Sequence, residues 1–437
     1  MPEVVLCLDI GSTFTKGAAV DVGNGRLVGT AEHRTTSDTD VLDGVAAVRA
    51  ALGMAGDVPT FACSSAGGGL RLAVVGYERE ISAEAGQRVA LSAGARVVHV
   101  SAGRLDRAAL AELRAARPDV VLLTGGTDGG EQSVLLHNAA ALAGLRIPVV
   151  LAGNATVRAE AAELFAGRGR VVLPTANVLP DIGAIDPAPA RATIRQVFLQ
   201  HVIGGKGLSR GTRFARLVSA VTPDAVLSGV GLLGEMVRAR DAGAQGVVVV
   251  DVGGATTDVY SALRPEEARS AVAPLWDRRT VEGDLGMRWS APSLVAAGSA
   301  ERLDVHGLTD PAARRSATVD LLPRTAADRD VDARLGALAA TIALRRHVRA
   351  ESAYDEGSVS ASGAALVVLS GGVFRHRDPS GRDAVVESLR ADRGGARAVL
   401  DRARVVVDDG FLLAPVGLLR AAHPAAARSL LERLLTD

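Results

Sequence analysis

The sequence predicts an α/β protein of two related halves, with a parallel α/β subdomain inserted into the first half. Three observations lead to this prediction. The chain has 437 residues, more than one hydrophobic core usually supports. A short motif that begins at Asp9 returns at Asp251, each time after an apolar run. Between the two copies, apolar strands alternate with helical stretches, as in parallel sheets with crossover helices.

The first half opens with three strands, a helix and a fourth strand. The strands are predicted at residues 4–10, 14–22, 27–33 and 59–64. Gly23, Asn24 and Gly25 give a strong turn signal after the second strand, because Asn and Gly accept positive φ angles. Residues 40–54 carry apolar side chains at close to helical spacing. This order of elements is typical of the opening of a ribonuclease-H-like unit.

A second pattern, in which strands and helices alternate, indicates an insertion at residues 83–178. Its strands are predicted at 96–100, 119–124, 148–152 and 170–173, and its helices at 104–116 and 131–145. We therefore predict a first half at residues 1–240 that includes the insertion, and a second half at residues 241–408. Residues 409–437 are predicted to form a helical segment that packs back on the first half.

The internal repeat aligns residues 9–16 with residues 251–258. Both copies share the frame Asp-(Ile/Val)-Gly-(Ser/Gly)-x-x-Thr, and strand-like residues follow each of them. A turn of Gly, Ser and Thr between two strands points backbone N–H groups outward, where they can bind phosphate oxygens. Glycine lets the phosphate approach the backbone closely, because no Cβ intervenes. The sequence therefore predicts two phosphate-binding turns, one in each half.

An aspartate stands at the head of each turn, where its charge would repel phosphate unless a cation lay between them. This predicts Mg²⁺ at Asp9 and Asp251, held through waters, because Mg²⁺ keeps several of its waters in proteins. One aspartate can orient or deprotonate the attacking water or hydroxyl. Lys16 can neutralise phosphate beside the first turn, whereas Asp258 adds a carboxylate to the second. We therefore assign Asp9 mainly to the metal and phosphates, and Asp251 mainly to the attacking water.

A third glycine-rich segment completes the predicted nucleotide site. An apolar run at 365–369 ends in Ser370, Gly371 and Gly372, where the glycine pair lets adenine or ribose pack against backbone. The predicted catalytic and metal-binding residues are Asp9 and Asp251. The predicted nucleotide-binding residues are Gly11, Ser12, Thr13, Thr15, Lys16, Gly253, Gly254, Thr256, Thr257, Ser370, Gly371 and Gly372.

These three segments resemble the phosphate-1, phosphate-2 and adenosine motifs of the superfamily that contains sugar kinases, heat-shock-70 proteins and actin. The resemblance implies duplicated, actin-like ATPase domains with ATP and Mg²⁺ in the cleft between them. Strings at 63–70, 122–130, 151–154 and 279–286 also resemble the glutamate mutase accessory L family, known as GlmL or MutL, over nearly the whole chain. That second resemblance implies an ATP-driven reactivating or chaperone-like partner of an adenosylcobalamin-dependent aminomutase.

The residues themselves leave the roles of several segments open. The loops at 64–69 and 125–130 follow strands, so they can face a ligand or serve only as turns. Asp284 can reach the cleft or cap a helix. Lys206 is the only lysine besides Lys16, and the sequence assigns no role to it.

Composition narrows the classes of function. Lys and Arg number 49 and Asp and Glu number 49, whereas nucleic-acid-binding proteins usually carry a basic surplus. The two cysteines, Cys7 and Cys63, are too few for a disulfide framework, and Cys7 is predicted to be buried. The absence of a signal-peptide pattern and of an apolar run of about 18 residues predicts a cytoplasmic protein without a membrane span.

Four kinds of protein share these nucleotide motifs. The first is an ATPase that acts on a partner protein, here the subunits of a cobalamin-dependent mutase. The second is a small-molecule kinase, in which a substrate hydroxyl replaces water. The third is a redox activator of dehydratases, which needs exposed cysteines to hold a bridging iron–sulfur cluster. The fourth is a nucleotide-sensing scaffold with little hydrolysis. The sequence favours the first, and it leaves a homodimeric state open.

Overall fold

The computed structural model describes residues 3–54, 56–68, 70–181, 184–203, 207–264, 277–354, 361–377 and 379–436. These residues form three five-stranded sheets. The strands are β1 (Val4–Ile10), β2 (Phe14–Asp21), β3 (Arg26–Arg34), β4 (Thr60–Ser64), β5 (Arg71–Gly76), β6 (Arg96–Ala102), β7 (Val120–Leu123), β8 (Val149–Leu151), β9 (Val172–Pro174), β10 (Val218–Val221), β11 (Gly246–Val252), β12 (Thr257–Leu263), β13 (Asp277–Glu282), β14 (Leu366–Ser370) and β15 (Arg404–Val407). Lys206 and Gly69 lie outside the described residues.

Helices make most of the connections between strands. They are α1 (Val41–Ala51), α2 (Glu84–Ser92), α3 (Arg107–Ala115), α4 (Ser133–Leu142), α5 (Arg158–Ala166), α6 (Pro187–Val197), α7 (Arg213–Leu217), α8 (Thr222–Arg240), α9 (Ala291–Ala300), α10 (Thr309–Ala317), α11 (Ala326–Tyr354), α12 (Gly372–Arg375), α13 (Pro379–Arg390), α14 (Ala396–Leu400), α15 (Leu413–Leu419) and α16 (Pro424–Thr436). Within the described part of the chain, no helix is both long enough and apolar enough to cross a membrane.

Two of the sheets have the same topology. Their strand orders are β3-β2-β1-β4-β10 and β13-β12-β11-β14-β15. In each sheet the first three strands of that order pair antiparallel, and the last two run parallel to the central strand. The central strands are apolar and buried, as expected for strands covered on both faces. The prediction of an α/β fold with duplicated ribonuclease-H-like units is confirmed.

The third sheet is entirely parallel, with the order β6-β5-β7-β8-β9. It includes β5, which ends at Gly76, so the insertion predicted at residues 83–178 begins too late to include every strand of this sheet. The sheet is also tied to the second half. Helix α2 packs against β13, and Arg191 of α6 forms an ion pair with Asp277 of β13 at 2.8 Å.

Helices α8 and α15 cross between the two matched sheets. Each helix follows the last strand of its own half, and the two pack closely against one another. Glycines permit the contact: a Cβ at Gly229 would lie 2.3 Å from the Leu413 oxygen, and one at Gly417 would lie 1.8 Å from the Ala225 oxygen. The crossing therefore brings the two backbones together in the apolar core shared by the halves.

The C-terminal segment lies against the first half. Helix α15 contacts β1 and β4, and α16 contacts β3 and α8. At the far end of β2, a Cβ on Gly25 would meet the Ser429 side chain of α16 at 2.4 Å. Arg240 and Glu432 form an ion pair between α8 and α16. These contacts connect both ends of the chain to one sheet.

Candidate functional site

The two turns predicted to bind phosphate have the same geometry. The Gly11 N–H donates to the Phe14 oxygen at 3.0 Å, and the Gly253 N–H donates to the Thr256 oxygen at 2.9 Å. A Cβ at either glycine would lie within 3 Å of that same oxygen, 2.8 Å at the first and 2.9 Å at the second. Each turn therefore requires glycine at this position, as the repeat in the sequence suggested.

The two turns also meet at the junction of the halves. A Cβ placed on Gly254 would lie 3.0 Å from the Thr13 hydroxyl oxygen. Among the described residues, the backbone N–H groups of Ser12, Thr13, Gly254 and Ala255 donate no hydrogen bond. The two turns thus bring unused backbone donors close to one another, an arrangement suited to an anion.

Asp9 is buried at the head of the first turn. Its carboxylate accepts a hydrogen bond from the Thr222 hydroxyl at 2.5 Å, and Thr222 is the first residue of α8. Burial raises the pKa of Asp9. The Lys16 charge and the Thr222 hydrogen bond lower it, and the charge of Asp251 in the other half raises it. The two aspartates therefore influence one another across the junction.

Asp251 occupies the corresponding place in the second half but is less enclosed. It pairs in register with Asp258 on β12 and with Ser370 on β14. Within the described residues its carboxylate takes part in no hydrogen bond or ion pair. Of the two aspartates, Asp251 is the one whose carboxylate is available to a ligand or a water.

Thr15 and Thr257 support the turns and do not face the space between them. Both are fully buried. The Thr15 hydroxyl bonds with that of Thr35 at 3.1 Å, and the Thr257 hydroxyl donates to the Leu285 oxygen at 2.7 Å. These hydroxyls are already bonded inside the protein, and their contact with a nucleotide stays a prediction. Ser12 and Thr13 remain accessible.

The residues that follow the two turns differ in charge, and the structure changes the interpretation of Asp258. Arg279 of β13 donates from Nε and Nη2 to one Asp258 oxygen at 3.0 and 2.7 Å, and both side chains are buried. The Thr256 hydroxyl donates to the other oxygen at 3.2 Å. Burial raises the pKa of Asp258, and the Arg279 charge partly offsets this effect. The extra carboxylate expected beside the second turn is therefore paired with a cation.

The predicted adenosine segment lies next to the second turn. Ser370 ends β14 beside Asp251. Gly371 has a φ of 120°, and a Cβ there would lie 2.3 Å from the Val252 oxygen, so this position requires glycine. At Gly372 a Cβ would meet only the His376 ring, at 3.7 Å. The first glycine of the pair is fixed by the fold, whereas the second borders open space.

The other glycine-rich loops are mainly structural. The amide of Asn154 bonds to the backbone of Gly129, Gly130 and Glu131, and Asn177 donates to the Gly126 oxygen and the Asp128 carboxylate. This internal bonding holds the loop at 125–130 in place. The loop that begins at Ser64 is bound to the first turn, because the Ser64 hydroxyl donates to the Ile10 oxygen and that of Ser12 donates to the Ser65 oxygen.

Asp284 and the two cysteines are engaged within the protein, and the Cys63 thiol lies 3.7 Å from an Asp9 carboxylate oxygen. Asp284 forms an ion pair with Arg346 of α11 at 2.7 Å, a partner that the sequence did not suggest. Cys7 and Cys63 are both buried, as predicted for Cys7, and burial raises the pKa of Cys7 to about 12. Neither thiol is placed where it could hold a cluster between two subunits.

Sequence reasoning missed three residues that enclose the space between the halves. Glu32 of β3 reaches across to Arg375, which follows the adenosine glycines on α12. The ring of Phe411, just before α15, lies beside both Lys16 and Arg375. Arg375 closely follows Gly372 in the sequence, and this was the one sequence feature from which its place at the site could have been predicted. Glu32 and Phe411 lie in segments without a recognisable motif.

The donors at the head of the turns suit Mg²⁺. Carboxylate oxygens are the protein ligands that this ion prefers, and it is usually bound through one or two of them together with substrate phosphates. Asp9 and Asp251 supply two such groups, one from each half. Among the described residues, no group of three or more His, Cys, Asp or Glu side chains converges as a metal site.

Solved structures with related chain traces have low similarity to this chain. Nucleotide-free acetone carboxylase is 15% identical with a TM-score of 0.35, and the match covers 88% of this chain and 67% of that one. The ethanolamine utilization protein EutJ from Carboxydothermus hydrogenoformans is 12% identical with a TM-score of 0.31, covering 96% and 89%. Likeness at this level carries no functional argument.

Sequence comparison is more informative. The chain is 34% identical over 461 residues to the protein MutL of Clostridium tetanomorphum, and the alignment covers 99% of both chains. Residues 5–435 match the family model described as MutL protein. The chain therefore belongs to the MutL protein family, as the glycine-rich strings of its sequence indicated.

Proposed function

We propose that this protein binds and hydrolyses ATP with Mg²⁺ and thereby assists an adenosylcobalamin-dependent aminomutase such as glutamate mutase. The observation that carries the proposal is the meeting of two matched glycine turns, each headed by an aspartate. Gly254 lies against Thr13 where these turns meet, and four backbone N–H groups of the turns donate no hydrogen bond among the described residues. Family membership supports the choice of a mutase as the partner.

Each residue has a distinct task in this proposal. The backbone donors of the two turns bind phosphate oxygens, and Lys16 neutralises their charge on the side of the first half. Asp9, held by the Thr222 hydroxyl, orients the metal waters. Mg²⁺, when bound, would neutralise charge on the phosphates. Asp251, which has no partner among the described residues, accepts a hydrogen bond from the attacking water and orients it.

The coupling between nucleotide and partner follows from the two-half architecture. A ligand that contacts both turns binds one relative arrangement of the halves better than another. Its binding therefore shifts the halves toward that arrangement. Such a change can be passed to a bound mutase subunit. A cytoplasmic location also remains a prediction.

Phosphate release from ATP is the direct test. We expect release without any acceptor, with a faster rate when purified mutase subunits are added. A small-molecule kinase would release ADP only in the presence of a hydroxyl or acid acceptor. Turnover that required such an acceptor would overturn the proposal.

Replacement of each aspartate separates their roles. We expect Asp251→Ala to lower hydrolysis at least about 100-fold with ATP binding intact, because loss of a positioned general base typically costs 10²–10⁴-fold. Asp9→Ala should weaken use of Mg-ATP, seen as a higher Mg²⁺ requirement. Asp57→Ala, which removes an exposed carboxylate before β4, is the matched control. Full support of the mutase by the Asp251 variant would instead favour a nucleotide-sensing scaffold.

A further inference from the structure

Arg375 lies between the two halves with most of its hydrogen-bonding capacity unused. Its side chain is 11% exposed, and its Nε and Nη2 atoms have no hydrogen-bond partner among the described residues. Buried polar groups are nearly always hydrogen-bonded, and leaving a charged one unsatisfied is costly. A buried arginine with free donors is therefore suited to receive the oxygens of an anionic ligand.

The groups around Arg375 also favour binding of an anionic ligand. The guanidinium lies 5.2 Å from the centre of the Phe411 ring, and the Lys16 ammonium lies 5.0 Å from the same centre. Lys16 belongs to the first half and Arg375 to the second, and both line one small cavity. Phe411 itself has a φ of 52°, which is uncommon for a bulky residue and typical of functional sites. Two cations from opposite halves thus converge beside the predicted phosphate turns.

Glu32 supplies the negative charge in this cavity. It comes from β3 of the first half, and its carboxylate lies 3.7 Å from Arg375 Nη1 and 3.2 Å from His376 Nε2. The hydrogen bond from His376, followed by the charges of His376, Arg375 and Lys16, lowers the pKa of Glu32. At 3.7 Å the contact with Arg375 is an ion pair without a hydrogen bond, so it leaves the guanidinium incompletely satisfied.

We propose that Arg375 binds a phosphate group of the nucleotide, and that Glu32 takes the place of this phosphate in the nucleotide-free protein. The proposal rests on the proposed ATP site and adds to it a cation from the second half. A phosphate offers several acceptor oxygens at the distance and geometry that guanidinium groups prefer. When the nucleotide binds, its phosphate replaces the Glu32 carboxylate beside Arg375, and the contact between β3 and α12 is lost.

Calorimetric titration with adenosine and ADP tests the role of Arg375. We expect Arg375→Gln to weaken ADP about 10- to 100-fold, the effect of losing a charge-assisted hydrogen bond, and to leave adenosine unchanged. Arg375→Lys should retain part of the ADP affinity, because it keeps the charge. Arg390→Gln, which removes an exposed arginine of α13, is the matched control and should bind ADP as the wild type does.

A double-mutant cycle tests the role of Glu32. Glu32→Gln should tighten ADP binding severalfold in the wild-type background, because it removes the competing anion. The same change should have little effect in the Arg375→Gln background, because Glu32 then no longer competes for that site. Melting temperatures of all variants establish that each is folded.

The outcomes distinguish this inference from the proposed function. Equal loss of adenosine and ADP affinity in Arg375→Gln would assign the arginine to the base and overturn its phosphate role. If Glu32→Gln changed ADP affinity equally in both backgrounds, Glu32 would act only through its charge at a distance. That result would overturn the proposal that Glu32 and the phosphate compete for Arg375. Failure of the wild-type chain to bind ADP would overturn the proposed function itself, and this inference with it.

Discussion

His347 is a fully buried histidine of α11 that lies between two hydroxyl groups. Its Nδ1 is 2.9 Å from the Thr280 hydroxyl and its Nε2 is 3.1 Å from the Ser261 hydroxyl. Burial, assisted by the charge of Arg278, holds the pKa of His347 well below its ordinary value. The imidazole is therefore neutral in the folded protein at pH values where a free histidine becomes charged.

This arrangement makes the stability of the protein depend on pH. Below a pH of about 6.5 the unfolded chain protonates His347 and the folded protein does not, so the free energy of unfolding falls as pH falls. The contribution is at most about 1.4 kcal/mol per pH unit. We expect urea unfolding to show that the advantage of the wild type over His347→Gln shrinks between pH 7.5 and 5.5. A constant difference would contradict this, and His306→Gln, at an exposed site, is the control.

The aspartates and glycines of the turns could be recognised from the sequence because their roles depend on local conformation. The internal hydrogen bonds of Thr15 and Thr257 could not, because a hydroxyl beside a turn looks the same in the sequence whether it points to a ligand or to another group of the protein. The pairing of Asp258 with Arg279 depends on the register of two strands separated by a long connection. Side-chain partners of that kind are set by tertiary structure.

At the scale of secondary-structure elements, the crossing of α8 and α15 is a close contact between the halves. The crossing depends on Gly229 and Gly417, where any side chain would enter the backbone of the other helix. Gly231 lies on the same helix, but a Cβ there would meet only the flexible end of Arg420, at 3.4 Å. The two glycines of α8 therefore provide a matched comparison.

We expect Gly229→Ala to destabilise the protein by about 1–3 kcal/mol, because the added methyl forces the helices apart. Gly231→Ala should be neutral or stabilising by up to about 1 kcal/mol, because alanine favours helix. Urea unfolding of both variants measures the difference. Equal effects at the two positions would show that the crossing tolerates a side chain at residue 229.

Long, periodic elements could be predicted from the sequence more readily than short ones. The helices predicted at 104–116 and 131–145 correspond to α3 and α4, and the four predicted strands of the insertion all correspond to strands of the third sheet. β5 was not predicted from the sequence, because it is six residues long and directly follows a glycine-rich loop. The contact of β3 with α12 joins elements more than 300 residues apart, and no local pattern reports such a contact.

For the molecule as a whole, the junction between the halves is closed by side chains. Glu32 reaches Arg375 and His376, and Arg34 forms a further ion pair with Asp320 at 3.5 Å. The cavity lined by Glu32, Arg375 and His376 is about 180 Å³, smaller than the roughly 300–1,000 Å³ of typical small-molecule sites.

A ligand that binds only the folded protein must stabilise it. We expect ATP with Mg²⁺, at about 100 times its dissociation constant, to add roughly 2.7 kcal/mol to the free energy of unfolding, which raises the melting temperature. Gly253→Ala should lose this effect, because a Cβ would lie 2.9 Å from the Thr256 oxygen and distort the turn. Gly29→Ala, whose Cβ would meet only Leu52 at 3.5 Å, should keep it. A wild-type protein indifferent to ATP would contradict the expectation.

The two matched sheets share one strand order and one turn geometry, and such a repeated frame alone would accept a chain of phosphates in either direction. The residue that pairs in register with the head aspartate makes the two halves different. In one copy it is Lys16, and in the other it is Asp258, already bound to Arg279. The two halves are therefore chemically distinct beside their head aspartates, and under the proposed function this difference in charge would favour one orientation of a bound nucleotide over the other.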